Sequence, residues 1–387
     1  MIDVNKDRLF FASCASLLLT AMTFAIRARL ETVFGPSGMG LTLEDIGYAF
    51  MPAFWGFTLA MIFGGPLVDL IGMKRGMWLA FVFHALGIGL TLIAVDLESL
   101  FLATLIIGLG NGMVEAVCNP MVASMYSDQK VKMLNRFHLW WPAGIVMGSI
   151  TGFLMMDILD LSWQLMVASL FIPLVIYGYA LLGQSFPVTE RIEMGISTSD
   201  SYRSLFKPLY IFIASCMLLS AATELGTTQR IESLLRDTGV NALLVLAFIN
   251  GLMMIGRYYA GPISKRLSSA GMLLFSAIFS FIGLQLLAVS SGNLVFASAA
   301  VFAIGITFFW PTTLAFISEA IPESGALGLS LMGGLGNLSA AIILPLMGWY
   351  LDNSEGVDVI QRMSILPALL ICCYLLLLLS QKSRPIQ

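Results

Sequence analysis

Twelve runs of mainly apolar residues, each long enough to cross a bilayer as a helix, account for most of this 387-residue chain. A helix needs about 20 such residues to span the hydrocarbon core. The runs cover approximately 9–34, 44–68, 76–95, 99–122, 135–156 and 163–186, then 208–230, 240–261, 271–290, 293–317, 325–351 and 359–380. Most connections are short; Asp96 to Glu98 and Ser291 to Asn293 barely suffice for a turn. Successive helices are therefore antiparallel neighbours. Only 11% of the residues are charged and 58% are hydrophobic. Soluble domains average about 25% and 45–50%, so this composition cannot build a water-facing surface. Soluble enzymes, nucleic-acid binders and disordered regulators are excluded together. A net charge of −3 supplies no field that would recruit a polyanion.

The predicted fold class is an all-α integral membrane protein, with twelve transmembrane helices in two pseudo-symmetric six-helix bundles. One stretch, 187–207, is polar and carries Glu190, Arg191, Glu193, Asp200 and Arg203. It reads as a cytoplasmic linker between an N-terminal bundle, 1–186, and a C-terminal bundle, 208–387. The halves repeat: Gly65-Pro66-Leu67 recurs 196 residues later as Gly261-Pro262-Ile263, and Gly152 meets Gly348 at the same offset. Such a repeat places a cargo site near the bilayer midplane. Orientation follows from loop Lys and Arg. With the amino terminus inside, fourteen basic residues are cytoplasmic and only Arg236 and Arg362 are outside. Both termini are predicted to be cytoplasmic, in a multi-pass protein of the cell (inner) membrane. The first apolar run is too long for a signal sequence and reads as a retained span. The five cysteines lie in apolar runs and the two histidines, His84 and His138, stand apart. No metal site and no cofactor are expected.

Between the second and third runs lies Gly65-Pro66-Leu67-Val68-Asp69-Leu70-Ile71-Gly72-Met73-Lys74-Arg75. With twelve spans, this loop resembles that of the major facilitator superfamily, and the resemblance covers the whole chain. It implies a carrier in which Gly65, Asp69, Gly72, Lys74 and Arg75 serve gating. Physically, Asp69 at a span end can cap a helix or pair with a charge, a latch that biases one of two states. Lys74 and Arg75 have a second reading, topology alone. A narrower stretch runs from Gly108 to Pro120 and includes Asn111, Glu115 and Asn119; Leu134-Asn135-Arg136-Phe137-His138 follows. It is similar to the fucose/galactose/glucose–proton symporter family, where a span-four carboxylate is protonatable and linked to the substrate. Glu115 matches that position. Span one departs from that family, offering Arg27, Arg29 and Glu31 where its sugar symporters can carry an Asp.

An ionisable group inside the membrane costs at least ~2.5–3.5 kcal/mol on insertion scales, which makes each one a functional candidate. Glu115 leads. Asn111 and Asn119, four residues to either side, share its helix face. Interhelical hydrogen bonding is the competing reading, closest for the asparagines. Span seven repeats the pattern with Ser220, Glu224 and Thr228. Arg27 and Glu31 are spaced to neutralise each other, or Arg27 clamps an anion by bidentate bonding. Arg257 is either a gate ion pair or a side chain snorkelling to the membrane edge. Asn250, Trp310 and Asn337 are neutral candidates for hydroxyls and sugar rings, with Pro311 bending the helix at Trp310. His84 reads as a core residue. Glycines such as Gly144, Gly148 and Gly152 supply small faces for sliding or for static packing.

The resulting expectation is a monomeric secondary transporter working by alternating access, with a small-molecule cargo, the proton as coupling ion and the bilayer as its solvent. The cargo is a small polar metabolite, a sugar by the narrower resemblance, and Glu115 is the coupling group. The alternatives are an organic-anion carrier using Arg27, or a non-transporting sensor with the same fold. An enzyme is not expected, because no nucleophile–base pair, HExxH or histidine cluster is present.

Overall fold

The computed structural model describes residues 4–34, 40–41, 43–235 and 238–382. Every described element is helical. The long helices are α1 (Lys6–Leu30), α2 (Asp45–Ile71), α3 (Met73–Leu92), α4 (Leu97–Met125), α5 (Ser127–Ile158) and α6 (Trp163–Leu181). They continue as α7 (Pro208–Gln229), α8 (Ala242–Tyr258), α9 (Ser269–Val289), α10 (Leu294–Ala320), α11 (Pro322–Leu351) and α12 (Gly356–Ser380). Among the described residues eleven, all but α8, are long and apolar enough to cross a membrane. The apolar run 240–261 breaks at Tyr259, leaving a 17-residue helix followed by the short piece Ala260–Ser264. The polar stretch between α6 and α7 folds into two short helices, Glu190–Glu193 and Thr198–Ser204.

Helix ends follow local chemistry. Asp96 caps α4 by accepting from the Ser99 amide, and Ser99 returns a bond to the Asp96 amide, which closes a capping box. Ser162 and Ser268 cap α6 and α9 with their hydroxyls. Gly72 adopts φ +84 between α2 and α3, a conformation side-chain-bearing residues rarely take. The exposed positions are apolar: Phe63, Ile172, Val289 and Leu376 are 64–77% accessible. Such faces are at home in lipid and costly in water.

Packing is close around α4, which is buried almost continuously from Ile107 to Met125. A Cβ added at Gly108 would lie 2.4 Å from the Ala53 carbonyl oxygen, and one at Gly112 would lie 2.3 Å from that of Phe57. Glycine alone lets α2 approach this closely, the small-residue rule of membrane helices. Gly144 and Gly148 of α5 do the same against Leu18, Ala21 and Met22 of α1.

Two compact units are present. Unit 1 holds Met1–Asp128, Trp140–Tyr202 and Pro322–Gly334; unit 2 holds Gln129–Leu139, Arg203–Ile321 and Leu335–Gln387. The leading part of α5 thus belongs with the later helices, and the leading part of α11 with the earlier ones.

Candidate functional site

In unit 1, Asn111, Glu115 and Asn119 of α4 are all buried, at 0%, 2% and 0% exposure. Asn119 Nδ2 donates to Glu115 Oε2 at 3.2 Å, so the i, i+4 spacing is realised as a hydrogen bond. Asn111 does different work. Its Nδ2 donates to Thr23 Oγ1 of α1 at 3.1 Å, and its Oδ1 meets His84 Nε2 of α3 at 2.9 Å. His84 Nδ1 reaches the Tyr177 hydroxyl of α6 at 3.1 Å. Four helices are tied through buried polar atoms, each satisfied by a neighbour. His84 is accordingly a core residue.

Arg27 lies a turn beyond Thr23. Its guanidinium carbon sits 4.5 Å from the Phe24 ring centroid and 4.7 Å from that of Phe54, with Phe50 at 6.0 Å. The side chain of Glu31, its candidate local partner, lies outside the described residues. Arg29 pairs instead with Asp157.

Asp69 at the end of α2 is held from the linker. Arg191 Nε donates to Asp69 Oδ2 at 2.8 Å, Thr189 Oγ1 donates to Oδ1 at 2.9 Å, and both charged side chains are 8% exposed. Arg191 Nη1 also donates to the Ile196 carbonyl. Lys74 and Arg75 are exposed and make no ion pair or hydrogen bond among the described residues. Gly65 fits against the leading part of α11: a Cβ there would lie 2.9 Å from the Ala326 carbonyl oxygen. Gly72 provides the turn alone. The linker's part in this latch escaped the sequence reading; the available signal was an arginine, Arg191, set between Glu190 and Glu193.

Unit 2 is built around Arg257 of α8, which is 2% exposed. Its Nε donates to the Thr307 carbonyl at 2.9 Å, its Nη1 donates to the His138 carbonyl at 2.9 Å, and its Nη2 lies 3.5 Å from Glu224 Oε1. The choice of carbonyls has a covalent cause. An α-helical carbonyl accepts from the amide four residues on, and proline has none to give. Pro142 follows His138 by four and Pro311 follows Thr307 by four. Arg257 therefore fills the two acceptors that the prolines free on α5 and α10, as neighbouring side chains do inside membranes. Unit 1 repeats the rule more weakly: Pro120 frees the Ala116 carbonyl, and Ser330 Oγ of α11 lies 3.5 Å from it.

Glu224 sits in a π-helical turn, Ala222–Gly226, that interrupts α7. Such turns are frequent at functional positions. Among the described residues its Oε2 and the Thr227 hydroxyl are buried without partners, and the Trp310 indole N–H likewise. Thr228 Oγ1 donates to the Glu224 carbonyl and Asn250 Nδ2 to that of Leu246, bonds within their own helices. Trp310 packs beneath Gly336, where a Cβ would lie 2.5 Å from its ring. Asn337 is 7% exposed. Among the described residues no group of three or more His, Cys, Asp or Glu could hold a metal ion.

Among the described residues the spans thus bury two carboxylates, Glu115 and Glu224, and one arginine, Arg257. The chain belongs to the Major Facilitator Superfamily, whose family model matches residues 9–344. No curated protein matches it in sequence. Among solved structures it is similar to the E. coli fucose:proton symporter FucP, at 17% identity and TM-score 0.78, covering 95% of this chain and 98% of that one. A FucP structure in the outward conformation gives 17% and 0.79, with the same coverage. The proton:xylose symporter XylE, bound to 6-bromo-6-deoxy-D-glucose, gives 15% and 0.72, covering 94% of each chain. The human organic anion transporter MFSD10 gives 12% and 0.71, covering 96% of this chain and 100% of that one. At these identities the likeness establishes the fold. The protein is a multi-pass membrane transporter of this superfamily.

Proposed function

We propose that the chain is a monomeric secondary active transporter of the cell membrane with twelve spans, α8 among them, and both termini in the cytoplasm. It moves a small polar metabolite by alternating access, coupled to a proton through Glu115, and a sugar is the favoured cargo. The observation that carries this reading is the Glu115–Asn119 pair: a carboxylate 2% exposed in mid-α4, with an amide of its own helix 3.2 Å away. A charge kept there at a cost is retained for a task. Protonation neutralises it, lowers the cost of apolar surroundings and lets the loaded carrier reorient. The likeness to two sugar–proton symporters supports the cargo class.

The test is uptake into proteoliposomes under an imposed proton gradient. Glu115→Gln should abolish uphill accumulation while leaving exchange across the membrane. Uphill accumulation at the wild-type level in this variant refutes the coupling role.

A further inference from the structure

Arg27 differs from the other arginines of these spans. Arg29 reaches Asp157, Arg230 reaches the Leu344 carbonyl, and Arg257 reaches two carbonyls and Glu224. Arg27 reaches no acceptor among the described residues. Its guanidinium is flanked by the rings of Phe24 and Phe54. Ring faces attract the charge but accept none of its five N–H groups in a strong bond. Phe24 in turn lies 5.3 Å from Trp141, so one side of the guanidinium adjoins an aromatic platform.

Arg27 also lines a cavity within unit 1, walled by α1, α2, α3, α4 and α6. Leu30, Leu100, Ile107, Val167 and Leu170 make it largely apolar. Three threonines line it as well, but Thr23, Thr91 and Thr104 donate their hydroxyls to backbone carbonyls. Arg27 is the single charged side chain among the described lining residues. A guanidinium in such surroundings is matched by a planar anion that accepts two parallel N–H bonds. One cation calls for one carboxylate.

We propose that Arg27 is the carboxylate-binding residue of the cargo site, and that the transported metabolite is an organic monocarboxylate. The rings of Phe24 and Phe54 orient the guanidinium, Arg27 takes the carboxylate bidentately, the small cavity of about 20 Å³ admits no more than that headgroup, and the body of the ligand lies against the aromatic platform. This deepens the transport reading and rests on it. A sugar acid satisfies both the favoured cargo class and the charge.

The experiment is ligand binding to the purified full-length protein, read by thermal shift and by titration. The probes are D-glucuronate, D-gluconate and L-lactate, with D-glucose as a neutral control that shares the pyranose ring of glucuronate. At least one carboxylate should raise the melting temperature and bind tighter than glucose. Arg27→Gln should weaken that carboxylate about 10- to 100-fold, the loss of one charge-assisted pair. Arg27→Lys, which keeps the charge without the fork, should fall between, and it serves should the glutamine variant not fold. The proposal is overturned if none of the three carboxylates binds, if glucose binds as tightly as they do, or if both Arg27 variants bind them as the wild type does. Uphill uptake of a neutral sugar alongside any of these results leaves the transport reading intact and removes the carboxylate subsite alone.

Discussion

Arg257 offers a test in which the energetic components separate. Its guanidinium serves three acceptors: the His138 carbonyl at 2.9 Å, the Thr307 carbonyl at 2.9 Å and Glu224 at 3.5 Å. The first two are orphaned by Pro142 and Pro311. Interhelical hydrogen bonds in membrane proteins average about 0.6 kcal/mol and reach about 1.7, so these two together contribute roughly 1–3 kcal/mol. Arg257→Gln removes that contribution and also leaves Glu224 buried without its cation, where losing a partner costs about 3–5 kcal/mol at most. Replacing Pro142 and Pro311 by Ala restores the two backbone amides, which can then bond the same carbonyls within their own helices. The cost of Arg257→Gln should therefore fall by about 1–3 kcal/mol in the Pro142→Ala, Pro311→Ala background. The assay is reversible unfolding in mixed micelles, run as a cycle over the four proteins. A cost that is unchanged to within about 0.5 kcal/mol between the two backgrounds refutes the argument that the freed carbonyls are what Arg257 holds.

The remaining predictions concern unit 1. In a double-mutant cycle of Asp69→Asn and Arg191→Gln, the coupling energy should be about 1–3 kcal/mol, because both side chains are 8% exposed and the bond is 2.8 Å long; a value under about 0.5 kcal/mol shows that the linker does not clasp α2. Gly112→Val should destabilise by about 1–3 kcal/mol or more, since even its Cβ would sit 2.3 Å from the Phe57 carbonyl oxygen and 2.7 Å from Ala60 Cβ. Gly89→Ala, where a Cβ meets nothing within 4 Å, should be neutral or stabilising by up to about 1 kcal/mol in the same unfolding assay.

What was legible in the sequence was whatever depends on local chemistry. Apolar run length marks the spans, since each needs the same thickness of hydrocarbon. The α8 exception arose because a run of apolar letters does not report the break at Tyr259. Periodicity put Asn111, Glu115 and Asn119 on one face, and that face is real. It could not show that Asn111 turns to Thr23 and His84 while Glu115 bonds its own helix, because partners across helices are set by packing. Asp69 stood out from its loop, yet its partners lie some 120 residues on, beyond any local pattern. The glycines of α5 were noted as a small face, and the distances around Gly144 and Gly148 put α1 against it; those of α4, which α2 approaches at Gly108 and Gly112, were not singled out.

Prolines carry the part of the site that could have been read further. Pro311 was legible as a bend, but each helical proline also implies a carbonyl four residues earlier that needs a donor. That rule names Ala116, His138 and Thr307 from sequence alone, without naming what fills them. An arginine is suited to the task because one rigid fork can serve acceptors on two helices at once, and its charge is not lost at any physiological pH. A lysine would offer one point of attachment. Placing Arg257 there ties α8 to α5 and α10 where both helices are weakest, and Glu224 compensates the charge from α7. Neutralising Glu224 would leave a buried cation held by carbonyl dipoles alone, and that arrangement is poorer than the same guanidinium in water. The grip of Arg257 on the two kinked helices is therefore sensitive to the state of Glu224, whose second oxygen is left without a partner in the described structure.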